Sequence, residues 1–127
     1  MCGHVGIFGS QIASIHVDAF EDLLFMDALR GDHATGVARV DVNGNCTVIK
    51  KPIPSWEFLA EQDVISMLRI GATSMALIGH NRYATQGALT SENAHPFTHG
   101  HITMAHNGTL RSRSGLKGSL TDFEVDI

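Results

Sequence analysis

Residues 1–9 read MCGHVGIFG and place a cysteine directly ahead of an apolar segment spaced by glycines. The segment Val5–Phe8 predicts a short strand close to the amino terminus. Removal of Met1 would give Cys2 a free α-amino group on its own backbone. Free thiols titrate near ~8.5 and α-amino groups near ~7.7–8.0, so close to neutrality the amine can accept the thiol proton. Cys2 is therefore a candidate nucleophile that carries its own base, because the thiolate is the attacking form. The ordinary alternative is a buried small hydrophobic residue, and the position alone does not exclude it.

The composition is that of a globular domain, and 127 residues are enough to bury a core. Hydrophobic residues make up 43% of the chain and charged residues 17%, which is ordinary for a soluble protein. The net charge of −4 argues against nucleic acid or an anionic membrane as a partner, because phosphate binding requires clustered Lys and Arg. There is no signal-peptide pattern, no apolar run of the ~18 residues that span a membrane, and only two cysteines. These features predict a cytoplasmic protein.

Hydrophobic periodicity and turn signals predict one α+β domain. Asn43-Gly44 is a strong hairpin signal, and Asp18 is the expected N-cap of the first helix. The predicted elements after the first strand are a helix over 19–29, hairpin arms over 36–42 and 46–50, a helix over 55–68, and strands over 75–80 and 102–106. The first helix has apolar residues at helical spacing, Phe20, Leu23, Leu24 and Ala28. The candidate core residues of the second helix are Trp56, Leu59, Val64 and Leu68.

Polar clusters follow two of the predicted strands where each strand ends. The strand over 75–80 leads into GHNRYATQG, and the strand over 102–106 leads into Asn107-Gly108. A rigid sheet commonly presents reactive groups in this way. Asn107-Gly108 is also a common hairpin-turn sequence, and a turn there is compatible with a functional role.

Five short segments together resemble the class II glutamine amidotransferases, whose glutaminase domain belongs to the N-terminal nucleophile hydrolases. They occur in the family's order and cover nearly the whole chain. The segments are Met1-Cys2-Gly3 with Gly6, RGDHATG (30–36), GHNRYATQG (79–87), NAHPF (93–97) and HNG (106–108).

The resemblance implies a role for each matching residue. Cys2 matches the catalytic nucleophile. Arg82 matches the arginine that holds the α-carboxylate of glutamine, and Thr85 supports the same pocket. A guanidinium suits that task because it can grip a carboxylate through two parallel hydrogen bonds. Asn107 and Gly108 match the oxyanion hole, formed by the Asn side-chain amide and the Gly backbone N–H.

Four further positions carry weaker expectations from the same resemblance. His106 is expected at the substrate pocket, and Arg30 supports the loop near the nucleophile. Asp126 is expected to receive the α-ammonium group of the substrate, as the aspartate that the family follows with a small hydroxyl residue and Glu. His33 is a departure, since the family more often has an aspartate or another small polar residue around it.

The family's fold is an αββα four-layer sandwich, and its domain runs considerably further than residue 127. The expectation is therefore a glutaminase domain over 1–127 that is incomplete at its C-terminus, either a truncated product or a fold completed by a partner. Unpaired strand edges in a half-built sandwich would favour aggregation.

Eight histidines raise the alternative of a metal-binding protein. The sequence has no HExxH, no CxxC and no paired carboxylates at ligand spacing. His80, His95 and His106 fall inside segments that the resemblance explains without metal, as hydrogen-bonded scaffold residues. The prediction is that the protein uses no metal and no cofactor.

The leading hypothesis is that the domain hydrolyses the side-chain amide of L-glutamine through a Cys2 thioester. The ammonia would pass to an unknown acceptor, for which a separate synthetase-type subunit is one candidate, and an oligomer is possible. A second hypothesis is a non-catalytic glutamine-binding or interaction module that kept the pocket and lost turnover. Retention of Met1 would favour the second hypothesis, because it blocks the base.

Overall fold

The computed structural model describes residues 1–70 and 74–108 of the chain. In chain order the elements are β1 (Gly3–Phe8), α1 (Ser14–Met26), a 3₁₀ turn (Asp27–Leu29), β2 (Ala34–Asp41), β3 (Cys46–Lys51), α2 (Ser55–Phe58), α3 (Gln62–Arg69), β4 (Ser74–Arg82), β5 (Phe97–His99) and β6 (Ile102–Met104). The described part is thus an α+β domain, as predicted.

Four of the strands form one antiparallel sheet in the order β1-β4-β2-β3, and β5 pairs with β6 in a separate antiparallel sheet. In the larger sheet β4 is flanked by β1 and β2. Gly3 pairs with Asn81 on one side of β4, and Ala34 pairs with Arg82 on the other. This register brings the start of β1 and the start of β2 to the end of β4.

One face of the larger sheet packs against the helices. Successive strand residues point to opposite faces, and Gly79 of β4 points toward α1 so closely that an added Cβ would lie 2.9 Å from atoms of both Phe20 and Leu24. Asn81 is on the same face, because its Nδ2 donates to the Leu24 carbonyl at 2.8 Å. The buried apolar residues of this layer are Ile12, Val17, Phe20, Leu24, Val37, Phe58, Val64, Met67, Leu68 and Leu77.

The opposite face of the sheet is covered by the segment 93–97, all of which is buried. The His95 ring stacks on the His80 ring of β4, with centroids 4.2 Å apart. Gly36 of β2 permits this approach, since a Cβ there would lie only 2.0 Å from the His95 carbonyl oxygen. The segment continues into β5, so the smaller sheet begins on the face of the larger sheet that the helices leave open.

The first helix begins at Ser14 rather than at residue 19, and Asp18 is not its N-cap. The Ala13 N–H donates to Nδ1 of His16 at 3.0 Å, which satisfies a donor at the helix start. Asp18 lies inside the helix and pairs with Arg69 at 2.7 Å. Leu23, one of the four residues at helical spacing, is 56% exposed, because the buried stripe of α1 passes through Phe20 and Leu24 instead.

The predicted helix over 55–68 is wrong as one element, because it is divided into α2 and α3. Lys51, at the end of β3, donates through Nζ to Glu61 Oε2 at 2.7 Å and to Asp63 Oδ1 at 3.0 Å. These contacts hold the break between the two helices beside the sheet. Val64 and Leu68 are buried as predicted, whereas Trp56 is 48% exposed and does not belong to the core.

The predicted strands are all present with adjusted ends, and the Asn43-Gly44 hairpin joins β2 to β3 as predicted. The last predicted strand is shorter, ending at Met104, and its partner β5 had not been predicted. None of the described helices is both long and apolar enough to cross a membrane.

Candidate active site

Cys2 lies just before β1 and contacts the residue that follows β4. The Tyr83 backbone N–H donates to Cys2 Sγ at 3.3 Å, and Sγ lies 3.7 Å from the Tyr83 carbonyl oxygen, which can accept the thiol proton. The thiol is half-buried. The Tyr83 backbone therefore offers the sulfur both a donor and an acceptor.

Gly3 follows the cysteine because the chain passes tightly against the 3₁₀ turn. A Cβ at Gly3 would lie 1.8 Å from Oδ2 of Asp27. Burial raises the pKa of the Asp27 carboxyl, and the nearby Arg30 opposes that shift. Within the described part of the chain, that buried Oδ2 has no hydrogen-bond partner.

Two side chains from distant parts of the chain hold the carbonyl group of Cys2. Asn107 Nδ2 donates to the Cys2 carbonyl oxygen at 3.0 Å, and Arg30 Nε donates to the same oxygen at 3.1 Å. The structure thus brings together Cys2, Asn107 and Arg30. These three residues were all selected from the sequence, and Arg30 was expected only to support the loop.

Gly108 follows Asn107 with a φ of +157°. A Cβ at this position would lie 2.9 Å from Nε2 of His106. His106 is half-buried. Its backbone is held on both sides, since its N–H donates to His95 Nδ1 at 3.0 Å and its carbonyl oxygen lies 3.2 Å from His80 Nε2.

The two histidines that hold His106 are neutral at physiological pH. Burial lowers the pKa of His80 to about 2, and the neighbouring His95 and His4 add to the effect. Burial lowers the pKa of His95 to about 3, with further contributions from His106 and Arg82. A neutral imidazole has one donor and one acceptor nitrogen, so His95 Nδ1 accepts and His80 Nε2 donates. This arrangement fixes the backbone immediately before Asn107.

Arg82 is buried at the end of β4, with 2% of its surface exposed. Its NH1 donates to the Ala88 carbonyl at 3.0 Å and its NH2 to the Gln86 carbonyl at 2.6 Å. The guanidinium therefore lies inside the loop that follows β4. Thr85 is an exposed residue of the same loop.

The remaining expected substrate residue, Asp126, lies outside the described residues. With respect to metal, no group of three or more His, Cys, Asp or Glu residues in the described ranges is arranged to hold an ion. The histidines His80, His95 and His106 stack or hydrogen-bond with one another instead.

An open cavity of about 740 Å³ lies beside the site. It is lined by Met1, Phe25, Met26, Ala28, Leu29, Arg30, Gly31, Asp32, Trp56 and Tyr83. Arg30 and Tyr83 both contact Cys2, so the cavity adjoins Cys2 through these two residues. The exposure of Trp56 is explained by its place at this rim.

Sequence reasoning did not assign a role to Tyr83 or to His33. The backbone of Tyr83 contacts the thiol, and the His33 ring stacks on the Tyr83 ring with centroids 4.7 Å apart. Backbone contacts leave no signal in residue type. His33 had a signal as the departure within RGDHATG, but its position behind Tyr83 follows only from the β2–β4 pairing.

Comparison with known proteins identifies the family of the chain. The family model described as class II glutamine amidotransferases matches residues 2–124. The matched range includes Cys2, Arg82, Asn107 and Gly108, and it ends before Asp126. The chain belongs to the class II glutamine amidotransferases.

The similar relatives include three enzymes with the name glutamine–fructose-6-phosphate aminotransferase (isomerizing). The chain is 34% identical to that of Caulobacter vibrioides over 131 residues, covering 99% of this chain and 20% of the relative. It is 35% identical to that of Vibrio parahaemolyticus over 136 residues, covering 98% and 21%. It is 35% identical to that of Mycolicibacterium smegmatis over 133 residues, covering 100% and 20%. The chain thus spans about a fifth of the length of the curated relatives it matches.

Among solved structures, one chain from a complex of a β-clamp processivity factor with the little finger domain of PolIV is similar with a TM-score of 0.47 at 12% identity. The similarity covers 69% of this chain and 94% of that chain.

Proposed function

We propose that this chain is a glutaminase domain that hydrolyses the side-chain amide of L-glutamine, with Cys2 as nucleophile. The observation that carries the proposal is the meeting of Cys2 and Asn107, 105 residues apart in sequence, through a hydrogen bond of 3.0 Å. A thiol beside an Asn-Gly pair is the combination that acyl transfer requires, with a nucleophile next to donors for a developing oxyanion.

The reaction begins after removal of Met1, which frees the α-amino group of Cys2. This amine accepts the thiol proton, and Sγ attacks the amide carbon of glutamine. The carbonyl oxygen becomes an oxyanion that Asn107 Nδ2 and the Gly108 N–H stabilise. The C–N bond then breaks and ammonia leaves with a proton from the α-ammonium group. Water attacks the resulting thioester, which releases glutamate and regenerates the thiol.

The two ends of the zwitterionic substrate require opposite charges. Arg82 is the proposed ligand of the α-carboxylate, with Thr85 beside it in the same loop. The carboxylate would share or replace the contacts that Arg82 makes with the Gln86 and Ala88 carbonyls. His106 is proposed to border the pocket next to Gly108.

A carboxylate of the segment 122–126 is the proposed partner of the α-ammonium group. Asp126 is the residue expected from the sequence, but the family match ends at residue 124. Asp122 lies within the match and is followed by Phe123 and Glu124, at the Asp-x-Glu spacing of the family. Asp126 and Asp122 are therefore both candidates.

The ammonia acceptor is proposed to be a synthase-type domain or subunit outside these 127 residues. The relatives named above are five times longer than the part that this chain matches, and their name describes transfer to fructose 6-phosphate. We further propose that the larger and smaller sheets belong to an αββα four-layer sandwich. The helices on one face of the larger sheet and the β5–β6 sheet on the other support this arrangement.

The direct test is ammonia release from L-glutamine by the purified chain. Cys2→Ala should reduce the rate by at least about a thousandfold, because the covalent route is lost. Cys46→Ser is the matched control, since Cys46 is the other cysteine, is exposed and lies far in sequence from the site. Intact-mass measurement should show loss of Met1 in the active protein.

Two outcomes would contradict the proposal. If Cys2→Ala releases ammonia at the parental rate, the nucleophile is not Cys2. If the parent protein with Met1 removed binds glutamine by calorimetry but releases no ammonia, the chain is a glutamine-binding module.

A further inference from the structure

His33 forms hydrogen bonds with two consecutive peptide groups, and the other polar group of each peptide contacts the Cys2 thiol. The His33 backbone N–H donates to the Arg82 carbonyl oxygen at 3.0 Å. The Ala84 backbone N–H donates to His33 Nδ1, also at 3.0 Å. The two contacts grip the backbone immediately before and immediately after Tyr83.

Each gripped peptide presents its other polar group to Cys2. A trans peptide is planar, with its N–H and C=O on opposite sides. The Arg82 carbonyl and the Tyr83 N–H belong to one peptide, and that N–H donates to Cys2 Sγ at 3.3 Å. The Tyr83 carbonyl and the Ala84 N–H belong to the next, and that carbonyl oxygen lies 3.7 Å from Sγ. Holding the Arg82 carbonyl and the Ala84 N–H therefore directs the two polar backbone groups of Tyr83 toward the sulfur.

We infer that the His33 side chain is a positioning residue that holds the Tyr83 carbonyl oxygen beside the Cys2 thiol. This role rests on the proposed function, in which Cys2 is the nucleophile. His33 does not touch Sγ in the described contacts, and it acts through Tyr83 and Ala84. Stacking of its ring on Tyr83, at 4.7 Å between centroids and 25° between planes, restrains the same segment.

The hydrogen bond defines the form of His33 that can do this. Nδ1 accepts the Ala84 N–H, so the ring proton resides on Nε2. Nε2 faces Asp32, whose Oδ1 lies 3.8 Å away. The Ala84 N–H therefore requires an acceptor at the position of Nδ1, two bonds from Cβ. An acceptor one bond further from Cβ does not meet this requirement.

This requirement gives a matched set of substitutions. His33→Asn places an amide oxygen where Nδ1 lies, and His33→Leu has nearly the same shape without an acceptor. His33→Gln moves the acceptor outward by one bond. His101→Gln, in the exposed turn between β5 and β6, controls for loss of an imidazole elsewhere.

The test is the rate of alkylation of Cys2 by iodoacetamide at neutral pH, in the full chain carrying Cys46→Ser so that one thiol remains. The Tyr83 N–H is held through the His33 backbone, which every variant keeps, so the His33 side chain acts on the Tyr83 carbonyl oxygen. That oxygen can accept the thiol proton and so opposes its loss, and without the Nδ1 acceptor it is no longer held beside Sγ. His33→Leu and His33→Gln should therefore speed alkylation by about fivefold or more. His33→Asn and His101→Gln should stay within about twofold of the parent, because both keep the acceptor behind Ala84. Circular dichroism checks folding, and if one of the two accelerated variants does not fold, the other carries the comparison.

The inference is overturned if His33→Leu reacts at the parental rate or more slowly, or if His33→Asn is accelerated as much as His33→Leu. Ammonia release is measured in parallel. Alkylation in the expected order without ammonia release contradicts the proposed function and leaves the positioning role intact. Ammonia release with alkylation independent of His33 contradicts the positioning role alone.

Discussion

Cys2 is held at two different groups by three different parts of the chain. Its carbonyl oxygen accepts hydrogen bonds from Asn107 and Arg30, and its sulfur contacts the Tyr83 backbone. The carbonyl contacts fix the backbone of Cys2 without using the thiol. The side-chain amide proposed to stabilise the oxyanion therefore also fixes the proposed nucleophile.

At the residue scale, the partner of the substrate α-ammonium group can be identified by removing one charge at a time. We expect that either Asp126→Asn or Asp122→Asn raises the KM for glutamine by about tenfold, since charge-assisted hydrogen bonds are the strong ones. The other substitution should leave KM unchanged and serves as the control. Steady-state kinetics distinguish the two, and an unchanged KM in both variants would show that neither carboxylate binds the substrate.

At the scale of elements, β4 organises the site because it is buried on both faces. Asn81 faces α1 and donates to Leu24, whereas His80 faces the segment 93–97 and stacks on His95. Arg82, at the end of the strand, lies inside the following loop. Neighbouring residues of β4 thus contact the helical layer, the smaller sheet and the loop that follows β4.

The contact between β2 and the segment 93–97 is testable through glycine substitutions. Gly36→Ala would place a Cβ 2.0 Å from the His95 carbonyl oxygen, whereas Gly6→Ala in β1 would place one 3.8 Å from the Leu77 carbonyl oxygen. We expect Gly36→Ala to lower the free energy of unfolding by about 1–3 kcal/mol through overpacking. Gly6→Ala should be nearly neutral. Urea denaturation measures both, and equal stability of the two variants would contradict the packing described here.

At the scale of the whole molecule, the two faces of the larger sheet differ in chemistry. The helical face is an apolar core, and the other face contains stacked neutral histidines, His80 and His95. Burying an imidazole without a charge costs less than burying an imidazolium. The layer that fixes the residue before Asn107 therefore depends on deprotonated histidines.

This difference predicts that acid destabilises the protein. The folded-state pKa values of His80 and His95 are about 2 and about 3, whereas unfolded histidines titrate near ~6.5. Below that pH the unfolded chain binds protons that the folded chain does not, so stability is fully present above pH ~6.5 and falls as the pH drops toward the folded-state values. Each histidine contributes at most about 1.4 kcal/mol per pH unit.

The measurement is urea denaturation between pH 7.5 and 5. His95→Asn keeps an acceptor for the His106 N–H and removes one titrating group. The free energy of unfolding of this variant should therefore fall less steeply as the pH drops, because one fewer proton is bound on unfolding. A variant with the parental slope would contradict the assignment of this pH dependence to His95.

Local signals in the sequence were sufficient for most of the elements and for part of the site. Asn43-Gly44 specified a hairpin through turn geometry, and the apolar runs specified β1 and β4. Cys2, Arg30 and Asn107 were identified from motifs, and the structure places them in contact. The division between α2 and α3 could not be predicted, because it depends on Lys51 reaching Glu61 and Asp63 from another element.

The sequence by itself determined the α+β class, the family and the candidate residues for the chemistry, because these depend on local periodicity and short motifs. Only the tertiary structure decided which distant groups meet at the thiol. The roles of Tyr83 and His33 arise from backbone groups and from the pairing of β2 with β4, and neither leaves a pattern along the chain. The orientation of the Tyr83 backbone toward the Cys2 sulfur is set by the register of strands that are far apart in sequence.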